Sequence, residues 1–304
     1  MNAAWRAASL AGCLCVATAC QDSQGELSSL ISSSTAVARE TRLKAALVDH
    51  DTGSTAGGAA IARWVLPQEL REISGLALTT DGRVLAHGDE DGEVWEIDYR
   101  RGVLTKKFSL GERRIKGDFE GITIANGVVF MLASNGKIYE FREGANGSHV
   151  AYTILDTGLK PQCEFEGVAF DPAINALLLA CKHVHDKQIQ GAIVIYRWSL
   201  VVTDSASRLT RMIVPVDSVL EANRWKNLHP SDITIDPLTG NYVIVASLEK
   251  ALISITPAGA LVFVRPLPAS HPQPEGVAIT KDGILLVSDE GGQGSGIITL
   301  YKWP

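Results

Sequence analysis

The sequence predicts an all-β fold, a β-propeller of five four-stranded blades closed by an N-terminal strand. Three observations carry this. Five segments share one pattern, ISGLAL (73–78), FEGITI (119–124), FEGVAF (165–170), PSDITI (230–235) and PEGVAI (274–279), and their second residues are spaced by 46, 46, 65 and 44 positions. Each segment is followed by short apolar runs separated by turn dipeptides such as Asp81-Gly82, Asn126-Gly127 and Asp282-Gly283, which favour tight hairpins. Four-stranded units of about 45 residues are the mark of propeller blades, which cannot bury both faces alone and stack into a ring.

The strands follow in order. The second strands are RVLAH, VVFMLA, ALLLA, YVIVAS and ILLVS, and the third are EVWEID, KIYEF, AIVIYRW, ALISI and GIITLY. Fourth strands are LTKKFSL, YTIL, RMIVPV and ALVFVRPL, and the last unit reaches Pro304 without one. The segment AIARWVL (60–66) resembles the fourth strands and is expected to complete the last blade, removing an open sheet edge. The longer third unit holds an insertion at 217–228 that reads as a short helix. A six-bladed ring is the alternative, and it would need a blade hidden in that insertion, where there is little alternation.

Composition narrows the rest. With 46% hydrophobic and 20% charged residues the chain has material for a large core, which excludes general disorder. Its 28 basic against 34 acidic residues give a net charge of −6, which argues against non-specific nucleic-acid binding. Five cysteines are too few for a disulfide scaffold of this length.

Residues 1–20 read as an export signal, with an apolar stretch from Ala7 to Ala19 that is short for a membrane span. Ala17-Thr18-Ala19-Cys20 resembles a bacterial lipobox, so Cys20 is the expected lipidation site; Cys13 is a second candidate, and an ordinary cleaved signal or short anchor is the alternative. Residues 21–59, rich in Ser, Thr, Gly and Ala, are expected to be a flexible tether with no part in the fold, holding at most a short helix near 35–48. The propeller is then 60–304. Cys163 and Cys181 flank a hairpin whose turn lies at 171–175, so they are expected to sit across two antiparallel strands and, in an exported protein, to form a disulfide.

On these repeats the chain resembles the SdiA-regulated family, also called the YjiK or calcium-regulated (CarP) β-propeller family. The resemblance covers about residues 60–304 and rests on the order Ser74, Glu120, Glu166, Ser231, Glu275 at the repeat starts, with PQPEGVAITKDGILLVSDE (272–290) and SDITIDPLTGNYVIVAS (231–247) as the nearest stretches. Asp232 stands where the family pattern has Gly, which puts the backbone of that blade in question. The resemblance implies bacterial envelope proteins at the inner membrane, linked to calcium responses, with no enzymatic reaction.

Propeller symmetry carries the repeat starts to one mouth, so Glu120, Glu166 and Glu275 converge there with Ser74 and Ser231 between them. Such carboxylates repel unless a proton or cation neutralises them, and hard oxygen ligands suit Ca²⁺. Alternatively each Glu accepts backbone N–H bonds from the neighbouring blade. Asp89-Glu90 and Asp289-Glu290 either widen this negative mouth or are solvated loop charges. His183-Val184-His185 lacks a visible third ligand for zinc. The expected function is thus a membrane-tethered, periplasm-facing propeller that binds Ca²⁺, a small molecule or a protein partner at its mouth. A metal-dependent hydrolase, either a phytase-like phosphoesterase or a lactonase, is the alternative, with Lys116 and Lys160 the nearest phosphate-binding candidates.

Overall fold

The computed structural model describes residues 33–49, 59–204 and 207–304. Cys13 and Cys20, and with them the signal and lipidation sites, lie outside the described residues. Among the described residues twenty-one strands form five sheets, antiparallel in every pairing but one. The first blade is β2 (Ile73–Leu78), β3 (Val84–Gly88), β4 (Glu93–Asp98) and β5 (Val103–Leu110), with the two-residue β9 (His149–Val150) added in parallel at its edge. The second is β6 (Phe119–Ala125), β7 (Val128–Ala133), β8 (Lys137–Phe141) and β10 (Tyr152–Asp156). The third is β11 (Cys163–Asp171), β12 (Ala176–Val184), β13 (Ile193–Ser199) and β14 (Leu209–Val214), and the fourth is β15 (Pro230–Ile235), β16 (Tyr242–Ala246), β17 (Ala251–Ile255) and β18 (Leu261–Pro266). The fifth joins β19 (Pro274–Ile279), β20 (Ile284–Asp289) and β21 (Ile297–Lys302) to β1 (Ala62–Val65) from the other end of the propeller. Ala62 lies opposite Leu300 and Val65 opposite Ile297, which closes the ring as the sequence predicts. The insertion forms the short helix α2 (Asp217–Asn223), and no sixth sheet occurs among the described residues.

The inner strands β2, β6, β11, β15 and β19 surround the axis, each beside the next. Five apolar clusters fill the five seams between blades. Within each repeat the residue two places after the start faces the preceding blade, and in the first, third and fifth repeats the alanine three places after the start faces the following one. Ala77 and Ile122 meet in the seam between blades one and two, Ala169 and Ile233 in that between three and four, and Ala278 and Leu76 in the closing seam. The small Ala at one position makes room for the larger Ile or Leu at the other, which is how close-packed interiors interdigitate.

A helix forms at α1 (Ser33–Asp49), close to the span the composition allows, and it is docked on the propeller. Glu40 and Lys44 pair at one-turn spacing, 2.8 Å apart. Leu43 is 2% exposed and joins the closing seam. The Arg39 guanidinium donates to the carbonyls of Arg101 and Gly102, each at 3.2 Å, and lies 5.0 Å from the Trp64 ring centroid. Glu40 pairs with Arg101 at 2.9 Å. The helix thus adds to the core at the seam where β1 closes the ring, a role that residue composition alone did not reveal. Among the described residues no helix is long and apolar enough to cross a membrane.

Candidate functional site

All five repeat starts fall on β-bulges. The pairing of first and second strands skips one residue between Ile73 and Gly75, Phe119 and Gly121, Phe165 and Gly167, Pro230 and Asp232, and Pro274 and Gly276. The skipped residues are Ser74, Glu120, Glu166, Ser231 and Glu275. A bulge frees a side chain from the pleat and re-aims it, and here it does so five times at one end of the channel. The glycines that follow allow the inner strands to approach. A Cβ on Gly121 would lie 2.8 Å from the Val168 nitrogen, and one on Gly167 would lie 2.7 Å from the Asp232 Cα.

Asp232 keeps the same bulge despite replacing the glycine. Its carboxylate is buried and accepts the backbone N–H of Val277 in the next blade and of its own neighbour Ile233, both at 2.8 Å. Burial pushes its pKa well up, with those two bonds pulling the other way. Bonding across blades through backbone N–H, considered above for the glutamates, is therefore performed by this aspartate.

A second ring lies just outside the first, one residue beyond the bulge partner on each second strand: Asp89, Ser134, Lys182, Ser247 and Glu290. Lys182 is its cation. Its Nζ lies 3.0 Å from Glu166 Oε2. Burial alone would lower the lysine pKa, but Glu166, Glu275 and Glu120 outweigh it and hold the ammonium charged. Burial, then Glu166 and Asp118, push Glu120 up to about 9. Burial pushes Glu166 up to about 7 against the pull of Lys182. Burial also raises Glu275, opposed by Lys182 and by hydrogen bonds that include Ser247 Oγ at 3.1 Å. Asp89, raised by burial and by Glu72 to about 6, and Glu290, raised by burial, Glu275 and Glu72, extend the acidic arc.

The structure thus places Glu120, Glu166 and Glu275 at one end of the channel, within electrostatic reach of one another and of a lysine that sequence reasoning missed, without gathering the three into a metal-holding cluster. The signal was present: counting register from the bulges places Lys182 level with Asp89 and Glu290. Asp289, in contrast, turns inward, where its Oδ2 and the Tyr301 hydroxyl each lie 2.6 Å from a nitrogen of buried His271. Lys116 pairs with Glu90 at 3.1 Å on the surface. His183 meets His229, ring centroids 5.2 Å apart, and His229 Nδ1 lies 2.8 Å from Glu249. Among the described residues no three His, Cys, Asp or Glu side chains are gathered closely enough to hold a metal ion. The Cys163–Cys181 disulfide forms, with Cα atoms 5.7 Å apart, and clamps the two strands that carry Glu166 and Lys182.

The opposite end of the channel is apolar. A cavity of about 590 Å³ opens there, ringed by Leu78, Ile124, Phe170, Ile235 and Ile279, the residue four places after each repeat start.

No protein-family model matches the chain, and no curated protein matches it. Solved structures of similar fold include glutaminyl cyclase from Myxococcus xanthus, at 11% identity over 80% of this chain and 95% of that one with a TM-score of 0.53. Virginiamycin B lyase from Staphylococcus aureus is similar at 14% identity over 80% and 74%, with a TM-score of 0.43. Aldose sugar dehydrogenase from Streptomyces coelicolor is similar at 13% identity over 79% and 97%, with a TM-score of 0.47. At these identities the likeness shows the propeller fold alone. The chain is a five-bladed propeller whose mouth has the shape and polar groups to bind a ligand.

Proposed function

We propose that the chain is a non-enzymatic binding propeller of the bacterial envelope, of the SdiA-regulated or calcium-regulated kind. It is tethered by lipid at Cys20 to the inner membrane and takes a cation, Ca²⁺ foremost, at its acidic end. The observation that carries this is the set of three glutamates on equivalent bulges around one lysine. The disulfide supports export, since such bonds persist in oxidising compartments. Lys182 acts as the resident counter-ion. Glu120, Glu166 and Glu275 would hold the cation, with Lys182, 24% exposed, giving up its pairing with Glu166, and a divalent charge would supply the neutralisation that burial denies these carboxyl groups.

Isothermal titration of Ca²⁺ into the protein tests this. Uptake is expected, tighter in Lys182→Met, where the competing ammonium is gone, and lost in Glu166→Gln. If neither the parent protein nor Lys182→Met takes up Ca²⁺ at millimolar levels, the proposal fails. A metal-dependent phosphoesterase or lactonase is the second reading. It would use Glu120 and Glu166, neighbouring carboxyl groups that burial raises above the ordinary range, as general acid and base. Turnover of phosphoesters or lactones that depends on Glu166 would establish it.

A further inference from the structure

The apolar end of the channel has the features of a second site. Its walls come from all five inner strands, and four of the five ring residues, Leu78, Ile124, Phe170 and Ile235, remain partly exposed into the cavity. A volume of about 590 Å³ falls within the roughly 300–1,000 Å³ typical of small-molecule pockets. Apart from Phe170 the ring is aliphatic. Among the described residues the two rings that line the cavity, Tyr99 and Phe170, make no stacked pair, so a flexible chain fits better than a flat ligand.

The rim decides the headgroup. Asp81 is held by Arg83 at 2.8 Å and Asp282 by Arg100 at 2.9 Å. Those arginines keep both acids ionised and paired, although Arg83 is shared with Glu96 and Glu143: hydrogen bonds from Arg83 and Thr79 lower Asp81 to about 2, and Asp282 is lowered too, its bonds to Thr280 and Arg100 outweighing burial. Lys281 also lines the cavity and forms no ion pair among the described residues. Of the charged residues that line the cavity, Asp81, Arg100 and Asp282 are in ion pairs, which leaves the Lys281 ammonium as the group open to a ligand. The turn that supplies Tyr99 and Arg100 to the cavity also supplies the Arg101 and Gly102 carbonyls that hold Arg39 of α1. The N-terminal part of the chain therefore docks at this same end.

We propose that this end binds a single-chain amphiphile with an anionic headgroup, of the fatty-acid class. The alkyl chain enters along the axis among Leu78, Ile124, Phe170, Ile235 and Ile279, and the carboxylate stays at the rim with Lys281. The site is independent of the acidic end and of what binds there.

The test is titration calorimetry of the full chain with octanoate, decanoate and laurate below their micellar concentrations, and with dodecylamine. Burying one methylene is worth about 0.8 kcal/mol, so affinity should rise roughly fourfold per added methylene until the cavity is full. Laurate should bind at least about tenfold more tightly than dodecylamine. Lys281→Glu should reverse that preference without lowering the melting temperature, whereas Lys226→Glu, an exposed lysine elsewhere, should not. Ile124→Glu should abolish laurate uptake, with its own melt showing whether the fold survived. Absence of saturable laurate binding, affinity independent of chain length, or equal binding of the amine would each overturn the proposal.

Discussion

The two ends of the channel are built from the same five strands yet have opposite chemistry. At one end the first turn of each repeat carries Ser74, Glu120, Glu166, Ser231 and Glu275 on bulges; four residues later the same strands present Leu78, Ile124, Phe170, Ile235 and Ile279. The bulge explains the contrast. It breaks the pleat at one end and turns polar side chains to the axis, whereas beyond it normal alternation resumes and apolar side chains face the preceding blade and the channel. A difference of four residues along a strand thus separates a charged site, where protons and cations are exchanged, from an apolar one, where burial of surface is the driving term.

Three perturbations bear on this comparison. The largest removes both ends together. Deleting residues 60–66 strips β1 from β21 and unmakes the fifth blade, so the melting temperature is expected to fall by about 10 °C or more; an unchanged melt would mean that the ring does not depend on this closure. A smaller perturbation acts on the acidic end alone. The Cys163–Cys181 bond closes a loop with a sequence separation of 18, for which the entropic estimate is about 3 kcal/mol, or roughly 5–10 °C. Cys163→Ser with Cys181→Ser should lower the melt by that order and weaken Ca²⁺ uptake while leaving laurate binding as it was. Equal loss at both ends would show that the ends are not separable.

The smallest effect is the pH profile. Glu120 near 9 and Glu166 near 7 in the folded protein, against an ordinary 4.5, mean that the native state holds more protons than the unfolded chain in between. Their contribution to stability is full below about 4.5 and is lost as pH rises through 7 to 9. Asp81 at the apolar end has the reverse sign: lowered to about 2 from 3.8, it contributes above 3.8 and loses that contribution as pH falls towards 2. Its effect is small because its side chain is 60% exposed and screened. The melting temperature is expected to decline between pH 5 and 9, and Glu120→Gln to flatten the decline.

The ring, its closure by 60–66, the helix at 217–228 and the disulfide were legible in the sequence because each leaves a local mark, in repetition, alternation or cysteine spacing. The convergence of Glu120, Glu166 and Glu275 was legible for the same reason. Lys182 was not, because it occurs once and its equivalents are Asp89, Ser134, Ser247 and Glu290, a set with no common residue type. The docking of Leu43 was hidden by the polar composition around it, which reads as tether although one buried leucine and two arginine-centred contacts suffice to seat the helix. The apolar ring at the other end was in plain view at the sixth position of every repeat segment, but an inner-strand Ile or Leu reads first as core. Only the closed ring shows that these side chains surround a space.

One end of the channel holds buried Glu166 and half-buried Glu120 and Glu275, raised by burial and by neighbouring acids, around a single lysine. The most direct measurement is the titration of the glutamate side-chain carboxyl carbons by NMR in the parent protein and in Lys182→Met. Two glutamates should titrate far above the ordinary range, near 7 and near 9, and the lower of these should move upward when the lysine charge is removed. All glutamates titrating near 4.5, with no response to Lys182→Met, would contradict the account.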